Sequence, residues 1–257
     1  MGKMIAPLAS AFGVMHGYWA VLRYALVNLR VLCIAPVRNV FHRQIYFTGI
    51  QSLWIVAILA MLCGTLVVTQ VSALFGGNSE MTVRVLIWTI VREVGPLLAA
   101  TIIIARSSPA IATELALMKS RNEFDHLVGM HIPPEDYLIV PRIAGVTLAV
   151  IALSVYFQIA AIGGGLAISA AFQGISFLDQ LNHFLQIVSF WELLSVALKS
   201  GLFGMAISSI SCYHGMHAAS SVTGVPKAAI RAVIQSLLFI FLIDALMAYV
   251  YFGIISA

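Results

Sequence analysis

Four ionisable residues lie inside long apolar stretches of this 257-residue sequence, where they could pair with one another, bind a charged group or pass a proton. Arg92 and Glu93 are adjacent, and Lys199 and Asp244 each stand alone in a later stretch. In the hydrocarbon of a membrane, an ionised side chain costs several kcal/mol unless it is paired or hydrated. These four residues are therefore the candidate functional residues of the apolar segments.

The four charges support more than one interpretation. In the first, Lys199 pairs with Asp244 or with Glu93 and holds the helices in register. In the second, Glu93 and Lys199 line a polar-walled cavity that opens outward, where a charged headgroup passes or where the pairing changes between transport states. Both interpretations can hold at once. An alternative from another class of protein uses Glu93, Lys199 and Asp244 as a proton relay in an ion-gradient-driven transporter or channel.

The composition is that of an integral membrane protein. Hydrophobic residues make up 61% of the chain and charged residues only 9%, whereas a soluble domain carries about 25% charged residues. The apolar runs are long and unbroken, while barrel strands would alternate polar and apolar residues. Because lipid offers the backbone no hydrogen-bond partner, an all-α bundle is the remaining solution. We expect one domain over residues 1–257.

Five apolar segments are long enough to cross a bilayer, which takes about 20 residues. They cover 45–71, 83–105, 138–161, 190–213 and 228–255. Between them we expect a tight connection over 75–80 and short interfacial helices over 172–189. At a rise of about 1.5 Å per residue, the four charges fall at a common level. Small residues at Ala160, Ala161, Gly164 and Gly165 predict a close approach between helix backbones.

The first 43 residues predict a basic amphipathic helix along the membrane surface. Trp19, Leu22, Leu26 and Leu29 recur at helical spacing. Arg23 and Arg30 occupy another side. A helix of this kind lies in the interface rather than crossing it. An additional span over residues 4–22 is the alternative.

The distribution of Lys and Arg predicts the orientation. One set of loops and ends carries nearly all of these residues outside the spans: Lys3, Arg23, Arg30, Arg38, Arg43, Arg106, Lys119, Arg121, Arg142, Lys227 and Arg231. The opposite side has only Arg84. By the positive-inside rule, the N-terminus is cytoplasmic and the C-terminus faces the other side.

A polar, helix-compatible segment over 106–129 follows the second predicted span. It is too charged for hydrocarbon and too apolar for a bare loop, so it predicts a helix outside the membrane that docks another protein. Pro109 is expected near its start, since proline is tolerated in a first helical turn. A plain solvated face is the alternative. The residues assigned to docking are Glu114, Leu115, Met118, Lys119, Arg121, Glu123, Phe124 and Asp125.

Several short motifs around this segment resemble one known family. The order R-E-x-G-P, A-R, A-x-x-x-E-L-x-x-M and Y-L-x-x-P-R is similar to that of the MlaE (YrbE) permeases, the membrane subunits of ABC transporters that move lipids with MCE-domain proteins. The matching positions are Arg92, Glu93, Gly95, Pro96, Arg106, Ala110, Glu114, Leu115, Met118, Tyr137, Leu138, Pro141 and Arg142. Weaker similarity extends from about Tyr46 to Phe252.

The resemblance implies a function and a set of partners. The docking helix would be the coupling helix that sits in a groove of an ABC ATPase subunit. The other implied partners are an MCE-domain protein, a small regulatory subunit on the ATPase, a second copy of this chain and a phospholipid or similar lipid. The implied location is the bacterial inner membrane.

The sequence itself predicts no catalytic role. It lacks the Gly-rich loop with Lys and Ser/Thr that cradles phosphates, so ATP and Mg²⁺ are expected on the separate ATPase chain. His214 and His217 are three residues apart, but no third ligand completes a metal site. We expect no cofactor in this chain, no catalytic residue, no metal and no binding to nucleic acid.

Overall fold

The computed structural model describes residues 2–74, 85, 87–173, 190–221 and 223–255, and these form helices joined by short turns. The predicted connection over 75–80 lies outside the described residues. So does the predicted interfacial segment over 172–189, apart from its first two residues. An all-α fold is confirmed for the described part of the chain.

Eight α-helices make up the described fold. They are α1 (Gly2–Val27), α2 (Ala35–Thr48), α3 (Leu53–Leu74), α4 (Gly95–Ser120), α5 (Glu123–Gly129), α6 (Val140–Gln173), α7 (Phe190–Met216) and α8 (Gly224–Ile255). Short 3₁₀ turns over Leu29–Cys33 and Ile50–Ser52 join the first three helices. Wider π-helical turns over Ile87–Val94 and Glu135–Ile139 lead into α4 and α6.

Within the described residues, five helical segments are long and apolar enough to cross a membrane, as the sequence predicts. They run over Ala35–Val71, Trp88–Ser120, Glu135–Ala167, Trp191–Met216 and Gly224–Val250. The segment containing α6 is the central one, with 67% of its most apolar window buried, whereas α8 has only 11% buried. The apolar surface of α8 therefore faces outward from the chain.

The second of these segments is longer than the predicted span. It has 33 residues, which at 1.5 Å per residue is about 50 Å, while the hydrocarbon layer is about 30 Å thick. The second half of α4 must therefore extend beyond the hydrocarbon. It remains helical because protein covers one face: Ser107, Ser108, Ile111, Ala112, Leu115 and Ala116 are all buried.

Close contact between α3 and α6 follows from small residues, as predicted. A Cβ placed on Gly64 would lie 1.9 Å from the carbonyl oxygen of Ala161. One placed on Gly165 would lie 2.8 Å from the carbonyl oxygen of Gly64. No side chain fits at either position without moving a helix backbone. The predicted packing role of the small residues is confirmed at Ala161 and Gly165.

The N-terminal helix α1 lies against α7 and α6. Its contact face includes Tyr18 and Ala25, which are buried. Trp19 and Leu26, both on the predicted apolar face, are exposed. They point away from the bundle, which leaves them available to lipid if the helix lies at a membrane surface. The interfacial placement itself stays a prediction.

Candidate functional site

The π-helical turn over Ile87–Val94 positions the first two intramembrane charges. Pro96 has no N–H, so it cannot donate to the carbonyl four residues earlier, that of Arg92. Lys199 supplies the missing donor, because its Nζ lies 3.2 Å from the Arg92 carbonyl oxygen. Gln158 does the same for the neighbouring carbonyl of Val91, at 3.2 Å. The wide turn therefore exposes backbone oxygens that side chains from α6 and α7 satisfy.

Lys199 lies at the centre of the charge cluster. Its Nζ is 2.7 Å from Glu93 Oε2 and 2.7 Å from Asp244 Oδ1. The lysine side chain is only 7% exposed. Both pairings weighed from the sequence are therefore present together. The common level predicted for these residues is confirmed by their contact.

Arg92 belongs to a second ion pair. Its Nη2 lies 3.1 Å from Glu192 Oε1, and the guanidinium lies over the ring of Trp88 at 5.8 Å from the centroid. Glu192 lies in the first turn of α7, two helical turns before Lys199. The two ion pairs therefore tie α7 to the π-helical turn at two levels.

The cluster is not buried evenly. The side chain of Glu93 is 43% exposed and that of Asp244 is 18% exposed. An ammonium between two carboxylates in a low-dielectric interior offsets their mutual repulsion. Of these three side chains, only that of Glu93 keeps a substantial part of its surface accessible to a mobile charged group. The lining of a transport cavity by Glu93 and Lys199 stays a prediction.

The segment beyond Ala105 differs from its prediction. Pro109 does not begin a new helix but lies inside α4, which continues to Ser120. The helix survives the missing N–H because this part of it is held from outside, for example by the 2.8 Å contact between the Ser108 and Ser211 hydroxyl oxygens. The break comes later, where Asn122 takes the left-handed conformation at φ 56°. The separate helix is therefore only α5.

The eight predicted docking residues divide between interior and surface. Leu115 is fully buried and packs beneath Gly215, so assigning it to a docking surface was wrong. Met118 and Phe124 are partly buried against the core. Arg121 and Asp125 are exposed. The outward face thus lies at the turn after α4 and on α5.

Two of the predicted docking charges hold the bundle together. Lys119 Nζ donates a 2.7 Å hydrogen bond to the carbonyl oxygen of Met216, the last residue of α7. A cation suits that position, because the carbonyls at a helix C-terminus are unsatisfied and carry partial negative charge. Glu114 pairs with Arg142 at 2.9 Å, and Arg142 is 3% exposed. These contacts within the chain therefore fix the side-chain conformations of Lys119 and Glu114.

A polar contact also fastens α1 to the turn before α6. The Tyr24 hydroxyl donates to Asp136 Oδ1 at 2.8 Å. Burial, followed by this hydrogen bond, raises the pKa of Tyr24 to about 12. The phenol therefore stays protonated at neutral pH and remains a donor.

The histidines near the end of α7 take part in side-chain contacts. The ring of His214 bonds to the hydroxyl of Tyr18 at 2.8 Å and also to Gln235. His217 stacks on Tyr213 with centroids 4.1 Å apart. Within the described residues, no three His, Cys, Asp or Glu side chains are grouped to hold a metal ion.

Sequence reasoning missed Glu192 and Gln158. Glu192 is the third residue of the predicted fourth span, and the signal was present, since a carboxylate in an apolar run needs a cation. Gln158 carries no charge, and its role depends on the irregular turn before Gly95. That turn had a weak signal in Gly95-Pro96, which interrupts the regular hydrogen bonding of a helix.

Five apolar helices and a buried ion-pair cluster define a multi-pass membrane protein, and comparison with known proteins identifies its class. A Rickettsia felis protein described as a probable ABC transporter permease is 28% identical over 217 residues, covering 82% of this chain and 83% of the relative. A Synechocystis protein with the same description is 29% identical over 214 residues, covering 81% of this chain and 80% of the relative. The chain is a transmembrane permease subunit of the ABC transporter class.

The family follows from a match over most of the chain. The family description "Permease MlaE" fits residues 41–250, and the chain belongs to this family. The intermembrane phospholipid transport system permease protein MlaE of Haemophilus influenzae is 24% identical over 214 residues, covering 82% of each chain. An ABC permease implies an ATPase partner.

Proposed function

We propose that this chain moves phospholipids or similar lipids between the inner membrane and an MCE-domain partner, driven by ATP hydrolysis in a separate subunit. The observation that carries the proposal is the Glu93–Lys199–Asp244 cluster, which lies among three membrane helices of an MlaE-family permease. The name of the Haemophilus relative supplies the substrate class. Half-exposed Glu93 is the residue proposed to meet the passing headgroup.

The proposed mechanism couples two ends of α4. The exposed residues before, on and directly after α5, including Arg121, Asp125, Val128 and Met130, form the face that docks in the ATPase groove. ATP-driven closure of the ATPase subunits moves this face, and α4 carries the movement to the π-helical turn that holds Glu93. Alternating exposure of a cavity between two copies of the chain then releases the lipid.

The orientation and partners follow the same proposal. The N-terminus and α5 face the cytoplasm, where ATP is available, and the C-terminus faces the periplasm. ATP and Mg²⁺ bind to the ATPase, which carries the small regulatory subunit. A proton relay through Glu93, Lys199 and Asp244 is the competing function. It predicts uptake that depends on a proton gradient and needs no ATPase.

The two functions are separated by reconstituting this chain with its ATPase in liposomes that contain a fluorescent phospholipid. ATP-dependent lipid transfer that is insensitive to proton ionophores supports the proposal. Transfer by this chain alone, abolished by an ionophore, supports the relay. The Glu93→Arg substitution is expected to reduce ATP-driven transfer at least about tenfold, because it places a cation beside Lys199.

Controls in the same assay separate the lipid path from folding. Glu135→Arg makes the same change of charge at an exposed position in the turn before α6, outside the cluster and the docking face, and is expected to leave ATP-driven lipid transfer unchanged. Size-exclusion behaviour and retained ATPase binding show whether Glu93→Arg folds. Normal folding with intact lipid transfer in Glu93→Arg would remove Glu93 from the path.

A further inference from the structure

A cleft of about 450 Å³ lies at the α5 end of the bundle, separate from the ion-pair cluster. Its walls come from α2, the second half of α4 and the start of α6. Three arginines line it: Arg43, Arg106 and Arg142. Among the described residues, Glu114 is the one carboxylate in the lining. The uncharged polar residues of the lining are Gln44, Thr48, Gln51, Ser107 and Tyr137.

The positive charge in this cleft is not balanced within the described chain. Glu114 is paired with Arg142 at 2.9 Å. Arg43 and Arg106 form no ion pair with any carboxylate of the described residues. The lining therefore holds three guanidinium groups against one carboxylate, and the carboxylate is paired with Arg142.

The guanidinium of Arg106 is held in place by neutral groups. Its Nη1 donates to the Ser52 hydroxyl at 2.9 Å, and its Nη2 donates to the side-chain oxygen of Gln51. A guanidinium has five N–H donors in one plane. These two contacts fix its orientation and leave its other N–H groups available to a ligand. Arg142 adds to this excess, since its Nη1 is buried with no acceptor among the described residues.

The remaining lining is apolar, which distinguishes the cleft from a site for a soluble anion. Val40, Phe47, Ile111 and Leu138 contribute to the walls. Phe47 also lies beneath the Arg43 guanidinium, at 5.5 Å from the ring centroid. α2 forms the first part of the apolar segment Ala35–Val71. The cleft therefore lies where a membrane helix passes into a polar, cationic end of the bundle.

We propose that this cleft binds the phosphate headgroup of a membrane phospholipid, with Arg43 and Arg106 pairing with the phosphate oxygens. Arginine binds phosphate through charge-assisted, often bidentate hydrogen bonds. The apolar walls contact the upper part of the acyl chains. The site does not depend on which molecule the protein transports. A lipid bound here bridges α2 and the second half of α4.

The experiment measures binding of dioleoylphosphatidylglycerol to the full chain in detergent by native mass spectrometry. Arg43→Gln and Arg106→Gln are each expected to weaken binding about tenfold, because each removes a charge-assisted contact. Arg38→Gln is the matched control. Arg38 is exposed on α2 and outside the cleft, so its loss changes the net charge equally and should alter binding less than about twofold.

Three other outcomes would contradict the proposal. Equal weakening in all three variants would show binding governed by net charge alone and would overturn it. Displacement of the lipid by inorganic phosphate at matched concentration would assign the cleft to a soluble anion. Binding of dioleoylglycerol, which has no phosphate, at the same strength would also overturn it. If Arg106→Gln misfolds, exposed Arg43 still gives the test, because Arg43→Gln breaks no ion pair within the described chain.

Discussion

At the residue scale, Lys199 separates two carboxylates that would otherwise face each other. The Lys199→Met substitution removes the ammonium and leaves the carboxylates of Glu93 and Asp244 without their cation. We expect the free energy of unfolding to fall by roughly 3 kcal/mol, since breaking a buried ion pair strands its partner. Chemical unfolding in detergent, followed by helical circular dichroism, measures the loss.

The control for Lys199→Met removes all three charges together. A triple variant with Glu93→Gln and Asp244→Asn has no stranded carboxylate, so it should recover most of the lost stability. A loss just as large in the triple variant would mean that packing of the lysine stem, not charge, explains the effect.

The sequence located these residues but not their full set of contacts. Apolar surroundings and helical rise placed Lys199 level with Glu93 and Asp244. The choice between the two pairings depended on rotamers, and the structure contains both. The carbonyl of Arg92 could not be anticipated as a partner, because it becomes available only where Pro96 lacks an N–H and the turn widens.

At the element scale, the contact between α3 and α6 gives a direct test. In Gly64→Ala the new methyl group would lie 1.9 Å from the Ala161 carbonyl oxygen, so the helices must separate. We expect a loss of about 1–3 kcal/mol in the free energy of unfolding, which is typical of overpacking. Thermal unfolding in detergent checks this.

Gly163→Ala is the matched control for this contact. It changes the same type of residue two positions before Gly165, but a Cβ at Gly163 meets nothing within 4 Å. Its stability should equal or slightly exceed that of the wild type, since alanine favours a helix. A comparable loss in both variants would mean that replacing a glycine, and not the contact between α3 and α6, explains the effect.

The presence of the helices was easier to predict than the positions at which they break. Apolar length was sufficient for the five spans. Pro109 was expected to begin a helix and instead lies within one, because contacts such as Ser108 with Ser211 hold that turn. The actual break at Asn122 has a weaker local signal, a residue that tolerates the left-handed conformation.

At the scale of the whole molecule, the orientation remains a prediction and can be tested by labelling. Single cysteines are introduced as Asp125→Cys on α5 and Leu74→Cys at the far end of α3, after replacement of Cys33, Cys63 and Cys212. Both positions are exposed. A membrane-impermeant thiol reagent should modify Leu74→Cys in intact spheroplasts and Asp125→Cys only after permeabilisation. The reverse pattern would invert the proposed topology.

The membrane class and family could be inferred from composition and motifs, because both depend on residue type and order. The assembly could not be derived in the same way. Surfaces that face lipid and surfaces that face a second copy are both apolar, as on α8, so composition does not tell them apart. The docking surface stays a prediction, and the buried members of its segment, such as Leu115, became evident only from packing.

The unbroken course of α4 has a mechanical consequence. Its 26 residues extend about 39 Å at 1.5 Å per residue, from the widened turn beside Glu93 to the bend before α5. A rigid rod of that length tilted by about 5° moves one tip roughly 3 Å relative to the other. A displacement of that size exceeds the reach of a hydrogen bond. A small tilt of α4 about its α5 end is therefore enough to part Glu93 from Lys199.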